Sequence, residues 1–247
     1  MFGWGKRAEA PGGRLAALLA DYPPFAPPHR GRSWSARGYP ATLTLEQCRE
    51  NLASYRAAVP ERLEVLARPL AGIGVDAALA WSDPAAFVRQ LHPALLRELP
   101  ALYRPEIVTR DARDQSDRAG DAIALSFMGD LAMLEADALL RAKPGCFIGL
   151  DLDPADREMP SFGRPCVLGL VDRLYPDQPD VFFLEDEWFG YLANMDDPSR
   201  LAPPDGVVPA MYPDVIGGAM LQRLDRAIVD PRLEARKQEG WWREAVG

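Results

Sequence analysis

The chain has 247 residues, 48% of them hydrophobic, enough for one large core or two small ones in an ordinary soluble protein. Its 28 basic and 36 acidic side chains leave a net charge of −8, which argues against general nucleic-acid binding and against docking on an anionic membrane. Cys48, Cys146 and Cys166 form an odd, sparse set, unlike a disulfide framework.

Residues 1–40 read as a Pro-rich arm. One short helix is expected over 14–21, where Arg14 precedes the apolar run 15–20. That run is too short for a membrane span and unlike a signal peptide, so a reduced, cytoplasmic location is expected. Pro23-Pro24-Phe25-Ala26-Pro27-Pro28 follows, and such a string favours extended backbone over helix. It is read as a stiff segment lying on the protein's own surface. Arg30, Arg32 and Arg37 then surround Trp34. Basic loops with an aromatic can grip phosphate or a single strand, but in so acidic a chain this one is read as solvated.

Residues 41–247 are expected to form a single α+β domain, with a helical subregion at 41–110, a helix-plus-sheet core at 121–192 and C-terminal helices at 213–246. Thr44 and Gln47 have the spacing of a capping box. Leu45, Cys48, Leu52 and Tyr55 then make a helical stripe, which Pro60 is expected to interrupt before a second stripe at Leu63, Leu66 and Leu70. Asp83-Pro84 is a helix start, and Phe87, Val88, Leu91, Leu95, Leu96 and Leu99 continue a helix expected to kink near Pro93. The charged run 111–121 has no apolar period and reads as a loop.

The organising element is a long helix from Ile123. Phe127, Met128, Leu131, Leu134, Ala138 and Leu139 share a broad face, with Asp130, Asp137 and Arg141 expected on the other side. Pro144-Gly145 stops it. Strands are predicted at 147–152, 166–171 and 181–184, the last two covered on both faces. Their connections are too short for crossover helices, so antiparallel pairing is the simpler choice. A hairpin centred on the 153–164 loop would set Cys146 opposite Val171 and Cys166 opposite Asp151, too far apart to bridge. Residues 196–213 read as irregular. Pro213-Asp214 is expected to open a helix running through Ile216, Met220, Leu221, Leu224 and Ile228, and Trp241 and Trp242 to anchor a last helix. The architecture is thus a helical N-terminal layer packed with a long central helix on a small, mainly antiparallel sheet.

Asp151 and Asp153 share a face at a strand end and could hold a divalent cation. The pair resembles the DxD motif of haloacid-dehalogenase-like phosphatases, but Pro154-Ala155 follow and no downstream Lys or second acidic pair completes the pattern, so an acidic strand end capping a turn is the better reading. Glu185-Asp186-Glu187-Trp188 is the densest acidic cluster. It could supply ligands or an acid–base pair, cap a helix starting near Asp186, or present a partly exposed Trp188 as an interface anchor flanked by charge; the other reading of Trp188 is a plug in the core beneath the third strand. His29 and His92 are isolated, and HxH, HExxH, CxxC and GxSxG spacings are absent.

Phe127-Met128-Gly129-Asp130-Leu131, the run from Leu139 to Gly145, and Arg164-Pro165-Cys166-Val167-Leu168 together resemble uncharacterised bacterial α/β proteins, some found near toxin-immunity or secretion genes. Those proteins often carry Trp early in the strand, where this chain has Phe147-Ile148-Gly149. The resemblance implies an immunity- or adaptor-like role and assigns no functional residue.

The functional expectation is therefore a cytoplasmic binding protein without catalysis, needing no cofactor and no metal. Its partner would be another protein, perhaps a basic one, met by Glu185, Asp186, Glu187, Trp188, Asp151 and Asp153. The alternative is a metal-dependent hydrolase built on the same carboxylates.

Overall fold

The computed structural model describes residues 13–201, 215–238 and 240–245. The α+β architecture is as expected, with helices gathered around one central helix and a small antiparallel sheet. No helix among the described residues is long and apolar enough to cross a membrane.

The central helix, α6 (Ile123–Ala142), begins and ends where its sequence signals place it. Its expected apolar face is buried, including Phe127, Leu131 and Leu134. Its expected polar side is not solvated, however, because Ala124 through Ala136 are buried all round the helix. Asp130 lies within that sleeve with its side chain fully buried, hydrogen-bonded by Arg62 at 3.0 and 2.6 Å and by the Tyr22 hydroxyl. A polar residue on a central helix can thus mark an internal ion pair instead of a water-facing side. Asp137 and Arg141 do pair at i, i+4, at 2.8 Å.

Around α6 pack α1 (Arg14–Leu19), α2 (Leu45–Gly72) and α3 (Leu79–Ser82), with α4 (Pro84–Glu98) packed on α3 and α1. Contrary to the expected break at Pro60, α2 is one helix of 28 residues. Pro60 is exposed, so the carbonyl it leaves without an amide partner can be hydrated. The buried residues Leu52, Tyr55, Leu66 and Leu70 hold both halves to the core. As expected, α4 continues through Pro93, with Asp83 capping it by accepting from the Ala86 amide at 2.9 Å.

The start of α2 is the expected capping box. Thr44 Oγ1 accepts from the Gln47 amide and Gln47 Oε1 from the Thr44 amide, at 3.3 and 2.9 Å. Thr44→Ala should cost about 1 kcal/mol in urea denaturation; a change within experimental error would show that packing alone sets this end.

The Pro-rich segment lies along the protein. The Phe25 amide donates to Ser126 Oγ at 2.8 Å, and Asn51 pairs with both backbone groups of His29 at 2.9 Å. In the following loop Arg32 stacks on Trp34 and Tyr39 and pairs with Asp111 at 2.5 Å. That basic side chain is therefore internally engaged. Asp111 belongs to a short helix, α5 (Arg110–Gln115), capped by Thr109 where a loop was expected.

The sheet has β2 (Pro165–Asp172) at its centre, antiparallel to β1 (Phe147–Leu150) on one side and β3 (Pro179–Phe182) on the other. The β1–β2 register sets Phe147 opposite Leu168 and Gly149 opposite Cys166, two residues from the expected pairing. A two-residue slip keeps every side chain on its face, and all three cysteines are free and buried. β3 is only half-buried along its length, an edge strand where full coverage was expected. Gly169, at φ +86°, sits where the pairing with β3 slips; a Cβ there would meet Leu233 at 2.9 Å. The side chain is missing because α9 (Leu233–Arg236) presses on the strand.

After α7 (Leu184–Ala193) comes α8 (Gly218–Arg226). The expected helix start at Pro213-Asp214 lies outside the described residues. α8 stops before Ile228, because Ala227–Val229 forms a fourth strand, β4. It pairs with Leu170, Val171 and Asp172, the part of β2 beyond the reach of β1. Unpaired backbone on a buried strand outweighs two more residues of helix, and an Arg226–Asp172 ion pair closes the corner. The chain's final described helix, α10 (Trp242–Ala245), buries Trp242 against Phe147.

Candidate binding site

The acidic–aromatic cluster forms the first turn of α7, where carboxylates favour the helix dipole. Each of its three carboxylates is engaged by arginine. Arg118 donates twice to Glu185, at 2.8 and 3.0 Å, from a backbone in the left-handed region with φ 57°. Burial opposes the charge on Glu185, yet the Arg118 guanidinium holds its carboxyl below the usual glutamate range. Asp186, partly exposed, meets Arg110 and Arg113 at 3.4 and 3.3 Å. Glu187 pairs with Arg223 and accepts from the Tyr191 hydroxyl.

Trp188 is only 1% exposed. Of the two readings of Trp188, the core plug is the one observed, and a partly exposed docking anchor is not. Its indole N–H donates at 2.9 Å to Glu135, which Arg223 binds from the other side at 2.6 Å. The physical reason is helical phase. With Glu185, Asp186 and Glu187 paired outward or sideways, Trp188 falls on the α7 face that rests on α6.

Burial, and then the neighbouring Glu187, push Glu135 up to about 7 against the pull of Arg223. The folded chain therefore keeps a proton that the unfolded chain releases from a group of ordinary value 4.5. Between those two values the folded state binds more protons, so this group's contribution to stability falls as pH rises through the window. Glu135→Gln should flatten that slope in urea denaturation from about pH 5 to about pH 8. An unchanged slope in the variant would contradict the assignment.

Asp151 and Asp153 do not stand side by side facing outward. Asp151 is buried and accepts from the Asp153 amide at 3.1 Å, and burial raises its pKa. Asp153 caps a short turn by accepting from the Ala155 amide at 2.9 Å. The acidic strand end is thus turn architecture. No group of three or more His, Cys, Asp or Glu side chains is arranged to hold a metal ion among the described residues. His92 accepts from the Ile216 amide through Nδ1, and His29 pairs with Glu50.

A concave surface lies elsewhere. A cleft of about 460 Å³ opens between the loop after the Pro-rich segment, the start of α2, the β1–β2 loop and the C-terminal helix. Ser33, Cys48 and Gly163 lie together on it, and Leu43, Leu45, Leu152 and Phe162 add apolar surface. Arg157, Trp241 and Glu244 complete the lining. Gly163 has φ +69°, and a Cβ there would meet Ser33 at 2.9 Å and the Cys48 sulfur at 3.2 Å. The two loops come this close only because residue 163 lacks a side chain.

Burial pushes the Cys48 thiol up, against the opposing charge of Arg164, so it is a neutral wall group and not a thiolate nucleophile. Trp241 stacks on the buried Trp242 at 4.6 Å, which fixes its ring. Sequence reading had singled out Cys48 and Trp241 as structural residues and had missed Ser33, Arg157 and Phe162. No protein-family model matches the chain, and searches of curated proteins and of solved structures return no match.

Proposed function

We propose that this protein is a non-catalytic binding protein and that its recognition site is the cleft between Ser33, Cys48, Gly163 and Trp241. The observation that carries this reading is the cleft itself. Its volume, about 460 Å³, is that of a small-ligand site. It is mostly apolar with a few polar groups, the usual composition of such sites.

The chemistry around it favours binding over turnover. The carboxylates suited to acid–base work are engaged by arginines or cap turns, as described above. The Cys48 thiol is neutral, and neither histidine lines the cleft. The acidic edge of α7 is a poor landing place for a basic protein, because its charges are already met within the fold.

Anilinonaphthalene sulfonate, a fluorescent amphipath, tests the reading. It should bind saturably at one site. Ala41→Trp, placed on the exposed wall of the cleft, should remove that signal without lowering the unfolding midpoint. Fluorescence that does not saturate, or that survives Ala41→Trp at full strength, would refute the cleft as the binding site.

A further inference from the structure

Among the described residues, two polar side chains lining the cleft have no partner within the protein. Ser33 is 6% exposed, and its hydroxyl has no hydrogen-bond partner among the described residues. A buried polar group left unpaired is unfavourable and awaits a donor or acceptor. Arg157 is exposed and lines the same cleft, and its guanidinium forms no ion pair or hydrogen bond among the described residues. The other charged lining residue, Glu244, is held by Arg49 at 3.2 Å. The same cleft is lined by the apolar and aromatic side chains of Leu43, Phe162 and Trp241.

Resting on the binding role proposed above, we infer that the ligand is a small amphipathic carboxylic acid carrying a hydrogen-bonding group on its apolar body. Its carboxylate meets Arg157, whose planar fork matches a carboxylate. Its body lies against Leu43, Phe162 and Trp241. Its hydroxyl or carbonyl reaches Ser33, which donates to it or accepts from it. The charge preference rests on Arg157, since the cleft's acidic member, Glu244, is paired with Arg49. The full chain's acidity makes an anion preference unexpected from composition, so it is a discriminating property of this site.

Calorimetric titration with hydroxynaphthoate, naphthoate and hydroxynaphthalene-methanol tests this. The hydroxy acid should bind tightest. Loss of the acid should weaken binding roughly threefold to tenfold, the range between an exposed ion pair and a charge-assisted hydrogen bond. Loss of the hydroxyl should weaken it by about fivefold. Arg157→Gln should erase the preference for acid over alcohol, and Ser33→Ala should erase the preference for the hydroxylated acid. Neither change should lower the unfolding midpoint, because neither side chain has a partner to lose. Equal affinity for all three probes, unaltered in both variants, would overturn the ligand class while leaving the cleft a binding site. Failure of every probe to bind would instead remove the binding role on which the inference rests.

Discussion

Asp130→Ala should destabilise the protein by about 3–5 kcal/mol, the range for removing one partner of a buried ion pair. Arg62 is as enclosed as Asp130, with side-chain exposures of 4% and 0%. Its guanidinium would be left with the Pro23 carbonyl, at 2.9 Å, and the faces of Tyr22 and Phe25. The Tyr22 hydroxyl would lose its acceptor as well. A contrast makes the test sharper. In the double variant Arg62→Met/Asp130→Leu no charge is stranded, and replacing both members by apolar groups is often neutral or stabilising. The double variant should therefore recover most of the loss in chemical denaturation. If Asp130→Ala costs less than about 1 kcal/mol, as a solvated position would, then Asp130 does not sit inside the core.

Trp188→Ala should cost about 3–5 kcal/mol, as large aromatic truncations in cores do. Two separate losses add here. One is the volume of the ring beneath α7, packed edge-on to Tyr191 at 5.4 Å. The other is the indole donor to Glu135, which would keep Arg223 but lose its second partner. Trp188→Phe separates them, since it restores most of the ring and not the N–H. It should recover roughly half of the loss or more. A Trp188→Ala protein as stable as the parent would place the ring on the surface and revive α7 as a docking edge.

The parts of the fold legible in the sequence are those whose signals are local. The period of Phe127, Leu131 and Leu134 and the Pro144-Gly145 stop define α6 nearly to the residue. Thr44 with Gln47, and Asp83 with Pro84, mark two helix starts through bonds spanning three residues. What could not be read is the meeting of distant groups. Glu185 and Arg118 are 67 positions apart, Arg223 and Glu135 88, and Tyr22 and Asp130 108. An acidic run such as Glu185–Glu187 looks solvated in sequence because its counter-charges lie elsewhere in the chain. The charged run at 111–121 did contain a hint, since Arg113 and Arg118 are two of those counter-charges.

The same limit applied to Pro60 and to Ile228. Local preference called for a break in the first case and for continued helix in the second. Packing of both halves of α2 decided the first, and the open part of β2 decided the second. The cleft was the least legible feature. Ser33, Cys48, Gly163 and Trp241 come from four separate stretches of chain, and concavity leaves no periodic trace. Gly163, at its left-handed φ beside Ser33 and Cys48, is the single residue whose type already records the close approach.

The central claim, that recognition belongs to the cleft and not to the acidic edge of α7, is tested most directly by amide and indole NMR shift mapping during titration with hydroxynaphthoate. The account predicts saturable shifts gathered at Ser33, Cys48, Phe162, Gly163 and the Trp241 indole, with Glu185 to Trp188 unmoved. Shifts concentrated at Glu185 to Trp188, or none at the cleft, would contradict it.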